Sequence, residues 1–224
     1  MSQERWAEVD RYLTNHLAPS DPALDAALQA CAAANMPSIN VAPNQGKLLQ
    51  IFAQMQQARK ILEIGTLGGY STIWLARALP ADRRLISLEI NPTHGEIAKA
   101  NTARAGLASI VDIRIGRAID ILPTLATERQ GPFDLIFIDA DKPSIPEYFA
   151  WAIKLSRPGS VIIVDNVVRK GEVVDAASED PAVQGVRRFF ELFAAEPRVT
   201  ATAIQTVGSK GYDGFTIALV IAAD

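Results

Sequence analysis

The chain has 224 residues, 49% of them apolar, which is enough for one sizeable α/β core and short for two. A formal charge of -3 provides no basic surface excess, which argues against nucleic acid and for a small-molecule partner. The single cysteine, Cys31, excludes an internal disulfide and any multi-cysteine zinc or iron–sulfur centre, and fits a reducing cytoplasm.

The opening stretch MSQERWAEVDRYL carries charges where a signal peptide needs its apolar region, and no run approaches the roughly 20 apolar residues of a membrane span. The expectation is an unexported, cytoplasmic chain with no membrane partner. Trp6, Val9, Leu13 and Leu17 recur at helical spacing, and a second helical pattern follows Pro22 through Ala34. Residues 1–40 read as a helical cover on a single domain spanning 1–224, with a lid or a subunit contact as the alternative. Met36 to Gly46, MPSINVAPNQG, is rich in turn formers. It is either a cofactor-side loop or a plain connection into a helix from about Gln45 to Gln57.

Lys60 to Ser71, KILEIGTLGGYS, is a short apolar run ending in a glycine-rich turn, which reads as a strand feeding a ligand loop. Tyr70 to Leu79 then looks helical, completing the first half of a βαβ nucleotide-binding unit. The turn spacing is G-x-x-G-G, so the dinucleotide fingerprint G-x-G-x-x-G is not met, and Glu63 stands just before the turn. A carboxylate there repels phosphate and favours a cationic ligand, such as the ammonium and sulfonium groups of S-adenosylmethionine.

Arg84 to Ile90 is a second strand, with Glu89 at its carboxyl end, 24 residues beyond Gly65. An acid at that distance from the turn suits the two hydroxyls of a ribose, and a solvated strand-end acid is the plainer alternative. A helix from Pro92 to Ala105 leads to a third strand, Val111 to Ile115, followed by Gly116-Arg117-Ala118, where small residues leave room for an adenine ring. Phe133 to Asp139 and Ser160 to Asp165 are further hydrophobic runs, each terminated by aspartate. Asp134 opens its strand at the opposite edge of the sheet and reads as structural. Helices are expected from about Ser144 to Leu155 and from Pro181 to Ala195. The last strands, Val199 to Val207 and Asp213 to Ala222, are joined too briefly for a parallel crossover, so they pair antiparallel.

If the fourth and fifth strands are adjacent, Asp139 and Asp165-Asn166 converge, because neighbouring strands lie about 4.8 Å apart. Two carboxylates and an amide with no histidine or cysteine nearby suit a hard dication such as Mg²⁺, with Mn²⁺ or Ca²⁺ as alternatives. The competing reading is that strand-end acids merely cap loops. Lys142 points its amine toward the same region as a candidate base for a hydroxyl, or else forms a salt bridge with Asp141 or another acid. Asp141 itself reads as solvated.

Taken together, ILEIGTLGGYS, Glu89, GRA at 116–118, FIDADK at 137–142 and VDN at 164–166 resemble one family, the cation-dependent class I O-methyltransferases that include catechol and caffeoyl-CoA O-methyltransferases. The resemblance runs from about Val41 to the DGFTIALV strand. It implies a Rossmann-like seven-stranded, mostly parallel sheet of order 3-2-1-4-5-7-6, last strand antiparallel, with helices on both faces and S-adenosylmethionine over the glycine turn. Carried over by motif, Glu63, Gly65, Thr66 and Ser71 line the methionine side, Glu89 the ribose and Ala118 the adenine, with Val41 and Asp139 also on the cofactor side. The metal ligands are then Asp139, Asp165 and Asn166, and the base is Lys142. The acceptor is a small-molecule diol or phenol. The family is commonly dimeric, which the amphipathic amino-terminal helices allow without demanding.

The ending QTVGSKGYDG departs from the family's leucine-proline-glycine approach to the final DG, which touches acceptor contacts more than chemistry. In the loop from Val167 to Asp180, Arg169 and Lys170 either meet an anionic substrate arm or are simply solvated. An NAD-type Rossmann oxidoreductase shares the fold but should carry G-x-G-x-x-G. A hydrolase should carry G-x-S-x-G, which is missing, and the two histidines, His16 and His94, lie outside the acid-lysine set. A non-catalytic S-adenosylmethionine-binding module has no need of the metal set.

Overall fold

A computed structural model describes residues 2–222. Its strands are β1 (Lys60–Ile64), β2 (Arg84–Glu89), β3 (Val111–Ile115), β4 (Leu135–Ile138), β5 (Val161–Asp165), β6 (Val199–Gly208) and β7 (Gly211–Val220). They form one sheet of order β3-β2-β1-β4-β5-β7-β6, as the resemblance implied. The pairs from β3 across to β5 are parallel, and β7 runs antiparallel to both β5 and β6. Chain order reverses between β1 and β4, so the cleft outside their carboxyl ends is where such a sheet receives ligands.

The helices are α1 (Gln3–Leu17), α2 (Pro22–Ala33), α3 (Pro43–Met55), α4 (Tyr70–Ala76), α5 (Pro92–Arg104), α6 (Ala118–Thr127), α7 (Ile145–Lys154) and α8 (Pro181–Ala195). Three open on the same device: Asp21, Asn91 or Asp180 accepts a hydrogen bond from a backbone N–H two residues on, and proline follows where a missing donor costs nothing. Successive strand side chains point to opposite faces, so the apolar runs divide into two layers. Leu62, Ile64, Ile136, Ile138 and Val164 meet Leu122 of α6, Phe149 of α7 and Phe189 of α8. Ile61, Leu85, Leu135, Phe137 and Ile163 meet Leu24 of α2, Leu49 of α3 and Trp74 of α4. Among the described residues no helix is long and apolar enough to cross a membrane.

Three elements differ from expectation. Helix α6 has no counterpart in the sequence reading because Pro123 interrupts its pattern; burial of Ala118, Leu122 and Leu125 outweighs the lost backbone bond. The β6–β7 connection shortens to the two residues Ser209-Lys210, since Gly208 and Gly211 already pair. Helix α2 does cover the core, with Leu24 and Ala27 fully buried, whereas α1 buries no residue. Helix α1 instead lies against α3 and β6, where Asp10 Oδ2 accepts from Ser209 N at 2.7 Å and Gln3 Nε2 donates to Gly208 O at 2.9 Å.

Candidate active site

A cavity of about 1050 Å³ lies over the sheet's carboxyl edge, walled by Gly65 after β1, Glu89 ending β2, Gly116 after β3, Asp139 after β4 and Asn166 after β5. The turn after β1 can exist only because residue 65 is glycine. Its φ is +100°, and a Cβ there would lie 2.0 Å from the Asp139 carbonyl oxygen. The parallel strands β1 and β4 end side by side at that point, bringing the glycine turn and the first acid of the second constellation into contact.

Glu89 holds the turn from the other side. Its Oε2 accepts from Leu67 N at 2.8 Å and Thr66 N at 3.2 Å, and its Oε1 from Asn91 N at 2.9 Å. The carboxylate therefore orders the loop and still faces the cavity, each oxygen having more than one acceptor site. His94 Nδ1 stands 3.8 Å from Oε1 and also lines the cavity, a residue the sequence reading set aside.

Glu63 lies behind the wall rather than in it. Its fully buried carboxylate accepts from Ser71 Oγ at 2.7 Å, Thr72 Oγ1 at 2.5 Å and Ser87 Oγ at 2.6 Å. Ser87 Oγ in turn lies 2.5 Å from Thr66 Oγ1. Burial pushes the Glu63 carboxyl up to about 7, against the pull of its three hydroxyl donors. Glu63 thus reaches the cavity through Ser71 and Thr66, both of which line it.

The second constellation forms where β4 and β5 end side by side. Lys142 opens a short 3-10 turn, and its buried amine donates to Asp139 Oδ1 at 3.0 Å, so its ion partner is Asp139 rather than Asp141. Gly185 of α8 presses on that turn; a Cβ there would sit 2.3 Å from the Lys142 carbonyl oxygen. Asp165 is buried, with Oδ2 accepting from Gln45 Nε2 at 2.7 Å and Oδ1 from Asn166 N at 2.9 Å. Burial, then the charge of Asp139, raises its pKa, and Lys142 pulls the other way. Asn166 adopts φ 57°, a left-handed conformation that asparagine tolerates better than most residues. Asp141 is exposed, as expected, yet it accepts from Tyr148 Oη at 2.5 Å. Asp134 is structural as read: it accepts from Arg59 N at 2.7 Å, Lys60 N at 3.0 Å and Arg157 Nη2 at 2.5 Å.

Of the residues singled out from the sequence, Val41, Gly65, Thr66, Ser71, Glu89, Ala118, Asp139, Lys142 and Asn166 line this one cavity, while Glu63 and Asp165 stand directly behind it. The loop from Met36 to Val41 proves to be part of the wall, not a plain connection. Gln45, Tyr148 and Lys210 were missed. Gln45 meets Asp165 across 120 positions of sequence, a contact that no local pattern signals.

The O-methyltransferase family matches residues 15–221. A relative described as catechol O-methyltransferase, from Niastella koreensis, is 56% identical over 220 residues, covering 98% of this chain and 100% of its own length. An O-methyltransferase from Bacillus cereus, solved in complex with SAH, superposes with a TM-score of 0.96 at 58% identity, covering 98% of this chain and 100% of that one. The O-methyltransferase TomG from Streptomyces achromogenes, involved in tomaymycin synthesis and solved in complex with SAM, gives the same TM-score of 0.96 at 55% identity, covering 99% and 100%. Agreement over nearly the whole length, in a sheet whose strand order matches the one the motifs implied, leads to one conclusion: the chain belongs to the O-methyltransferase family.

Proposed function

We propose that this chain moves a methyl group from S-adenosylmethionine to one hydroxyl of a catechol-type vicinal diol, with a divalent cation at the acceptor end. The observation that carries the reading is the single cavity in which the Glu89-braced glycine turn and the Asp139-Lys142-Asn166 group face one space. The SAM and SAH complexes of close relatives support the donor, and the relative described as catechol O-methyltransferase supports the acceptor class.

On the donor side, Glu89 accepts from the ribose hydroxyls and Ala118 gives adenine room. Gly65, Thr66, Ser71 and Val41 enclose the methionine end, and the acids Glu63 and Asp139 favour a cationic sulfonium there. Among the described residues no group of three or more His, Cys, Asp and Glu could hold a metal ion. The set here is two carboxylates and an amide. Asp139 and Asp165 stand at the ends of the adjacent strands β4 and β5, and hard oxygen donors brought together there suit a hard dication. Asp139, Asp165 and Asn166 would hold Mg²⁺, or Mn²⁺ or Ca²⁺, which would supply positive charge that lowers the pKa of an acceptor hydroxyl. Lys142, oriented by Asp139, would take the proton from that hydroxyl as the neutral amine, the form that a dication's charge beside it would favour. The enclosing side chains hold the oxygen, methyl and sulfur in line, and much of the rate comes from that positioning.

The same reading places the chain in the cytoplasm as a homodimer. Its α1 supports the dimer by presenting Val9, Tyr12, Leu13 and Leu17 to solvent. The test is methyl transfer from labelled S-adenosylmethionine to a panel of diols, with added dication and with excess chelator. We expect transfer that collapses in chelator and returns with Mg²⁺. Undiminished turnover in chelator would remove the metal, and no transfer to any diol would remove the function.

A further inference from the structure

We propose that Lys210 and Arg169 form a cationic rim that selects diol acceptors bearing a carboxylate on the ring, so that the acceptor is a catechol acid rather than a neutral catechol. This rests on the proposed function, because it names the acceptor class of the same site.

Both residues line the cavity, and neither has its charge well answered by the protein. Lys210 occupies the two-residue β6–β7 turn and donates to Ser38 O at 3.1 Å, a neutral carbonyl. Among the described residues no carboxylate lies within ion-pair distance of its amine. Partial desolvation accordingly lowers its pKa. Arg169 reaches Asp213 Oδ2 only at 3.9 Å, and its Nε is buried with no hydrogen-bond partner. It is also held at φ 54°, a conformation that costs a non-glycine residue energy and persists only where the surroundings impose it.

The surroundings that impose it belong to the acceptor end. Asp213 Oδ1 accepts from Val168 N at 2.9 Å and Arg169 N at 3.0 Å, which ties the loop carrying Asn166 to the strand that follows Lys210. The other cavity arginine, Arg117, stands beside Ala118 on the adenine side. Charge within the cavity is therefore divided. Glu89, Asp139 and Asp141 lie at the strand ends, where a cationic donor belongs and where the Lys142 amine is already answered by Asp139, while Lys210 and Arg169 line the cavity from the final hairpin turn and from the loop after β5. A ring carboxylate has two oxygens and one negative charge, which suits one ammonium and one unsatisfied N–H. The cavity, about 1050 Å³, exceeds the roughly 300–1,000 Å³ typical of a single ligand, so it has room for a nucleoside donor beside a compact aryl acid.

The experiment compares 3,4-dihydroxybenzoate with its neutral analogue 3,4-dihydroxybenzamide, using the full chain with S-adenosylmethionine and Mg²⁺. The wild type is expected to favour the acid in kcat/KM by about a hundredfold, the scale of two charge-assisted hydrogen bonds at about tenfold each. Lys210→Gln and Arg169→Gln should each cut that ratio about tenfold, chiefly through KM, and Lys210→Arg should keep most of it. A rim that only tethers the loop at Ser38 would lower both substrates together and leave the ratio where it was. A wild-type ratio near one, or a ratio unmoved in both glutamine variants, overturns the proposal while leaving the methyltransferase reading intact. No transfer to either compound, or to any other diol, overturns both.

Discussion

Replacing Glu63 by glutamine should change how stability depends on pH. The carboxyl is fully buried, with a pKa raised from 4.5 to about 7 by burial and lowered less by Ser87, Thr72 and Ser71. An acid whose folded pKa lies above its unfolded one binds more protons folded than unfolded between those values. Stability is therefore greatest on the acid side and is lost as pH rises from about 4.5 to about 7. At roughly 1.4 kcal/mol per pH unit the loss amounts to about 3 kcal/mol, a large part of a typical folding free energy. Glu63→Gln keeps the shape, stays neutral at every pH and loses this dependence. Its amide hydrogens must find a hydroxyl oxygen, which lowers stability by a similar amount at each pH and leaves the slope argument untouched. Urea unfolding of both proteins at pH 5, 6, 7 and 8 should show the wild type losing about 2–3 kcal/mol relative to the variant across that span. Parallel curves would refute the reasoning, since they would mean that Glu63 keeps the same charge in both states throughout.

Two further substitutions separate chemistry from scaffold. Lys142→Ala should lower kcat by about 10²–10⁴, the range for a lost general base, while calorimetric affinity for S-adenosylmethionine stays within a few-fold. A collapse of donor binding would contradict the role given to Lys142. Asp134→Ala strands the Arg59 and Lys60 N–H groups and the Arg157 guanidinium at the far edge of the sheet. It should lower unfolding free energy by about 2–4 kcal/mol while the folded enzyme's KM for donor and acceptor hardly changes. An unmoved urea midpoint would show those bonds to be dispensable.

The sheet was legible because its signals are local. Each central strand is a mostly apolar run, each crossover is long enough for a helix, and only the last connection is too short, which alone forces the antiparallel β6–β7 pair. Helix α6 escaped because Pro123 is a strong local breaker, and what outweighs it is burial against the sheet, which is invisible until the fold exists. At α1 the periodicity was real and its meaning was not. Val9, Leu13 and Leu17 do share helical spacing, but 48%, 38% and 66% of their surfaces remain exposed, so the stripe does not face this chain's core. A pattern of spacing marks an apolar face without saying what covers it.

The candidate site divides along the same line. Glu89, Asp139, Asp165 and Asn166 could be read because parallel strands deliver their last residues to a common edge; once the strands are right, the residue after each one is placed. Glu63 could be read as an acid near the donor but not as a buried one, because its screening by Ser71, Thr72 and Ser87 draws on β1, α4 and β2 together. Of the residues arriving from outside the sheet, Val41 and Arg169 carried a signal in their loops, whereas Gln45 and Lys210 carried none. Gln45 reaches Asp165 from α3, and Lys210 reaches the rim from a turn whose length was itself misjudged by the sequence reading. The strand ends thus carry the proposed donor cleft and the acid-lysine group. What closes the acceptor end comes from α3, the loop after β5 and the final hairpin, and these depend on packing of distant segments. Specificity for the acceptor should therefore be sought in those elements, and chemistry in the strand ends.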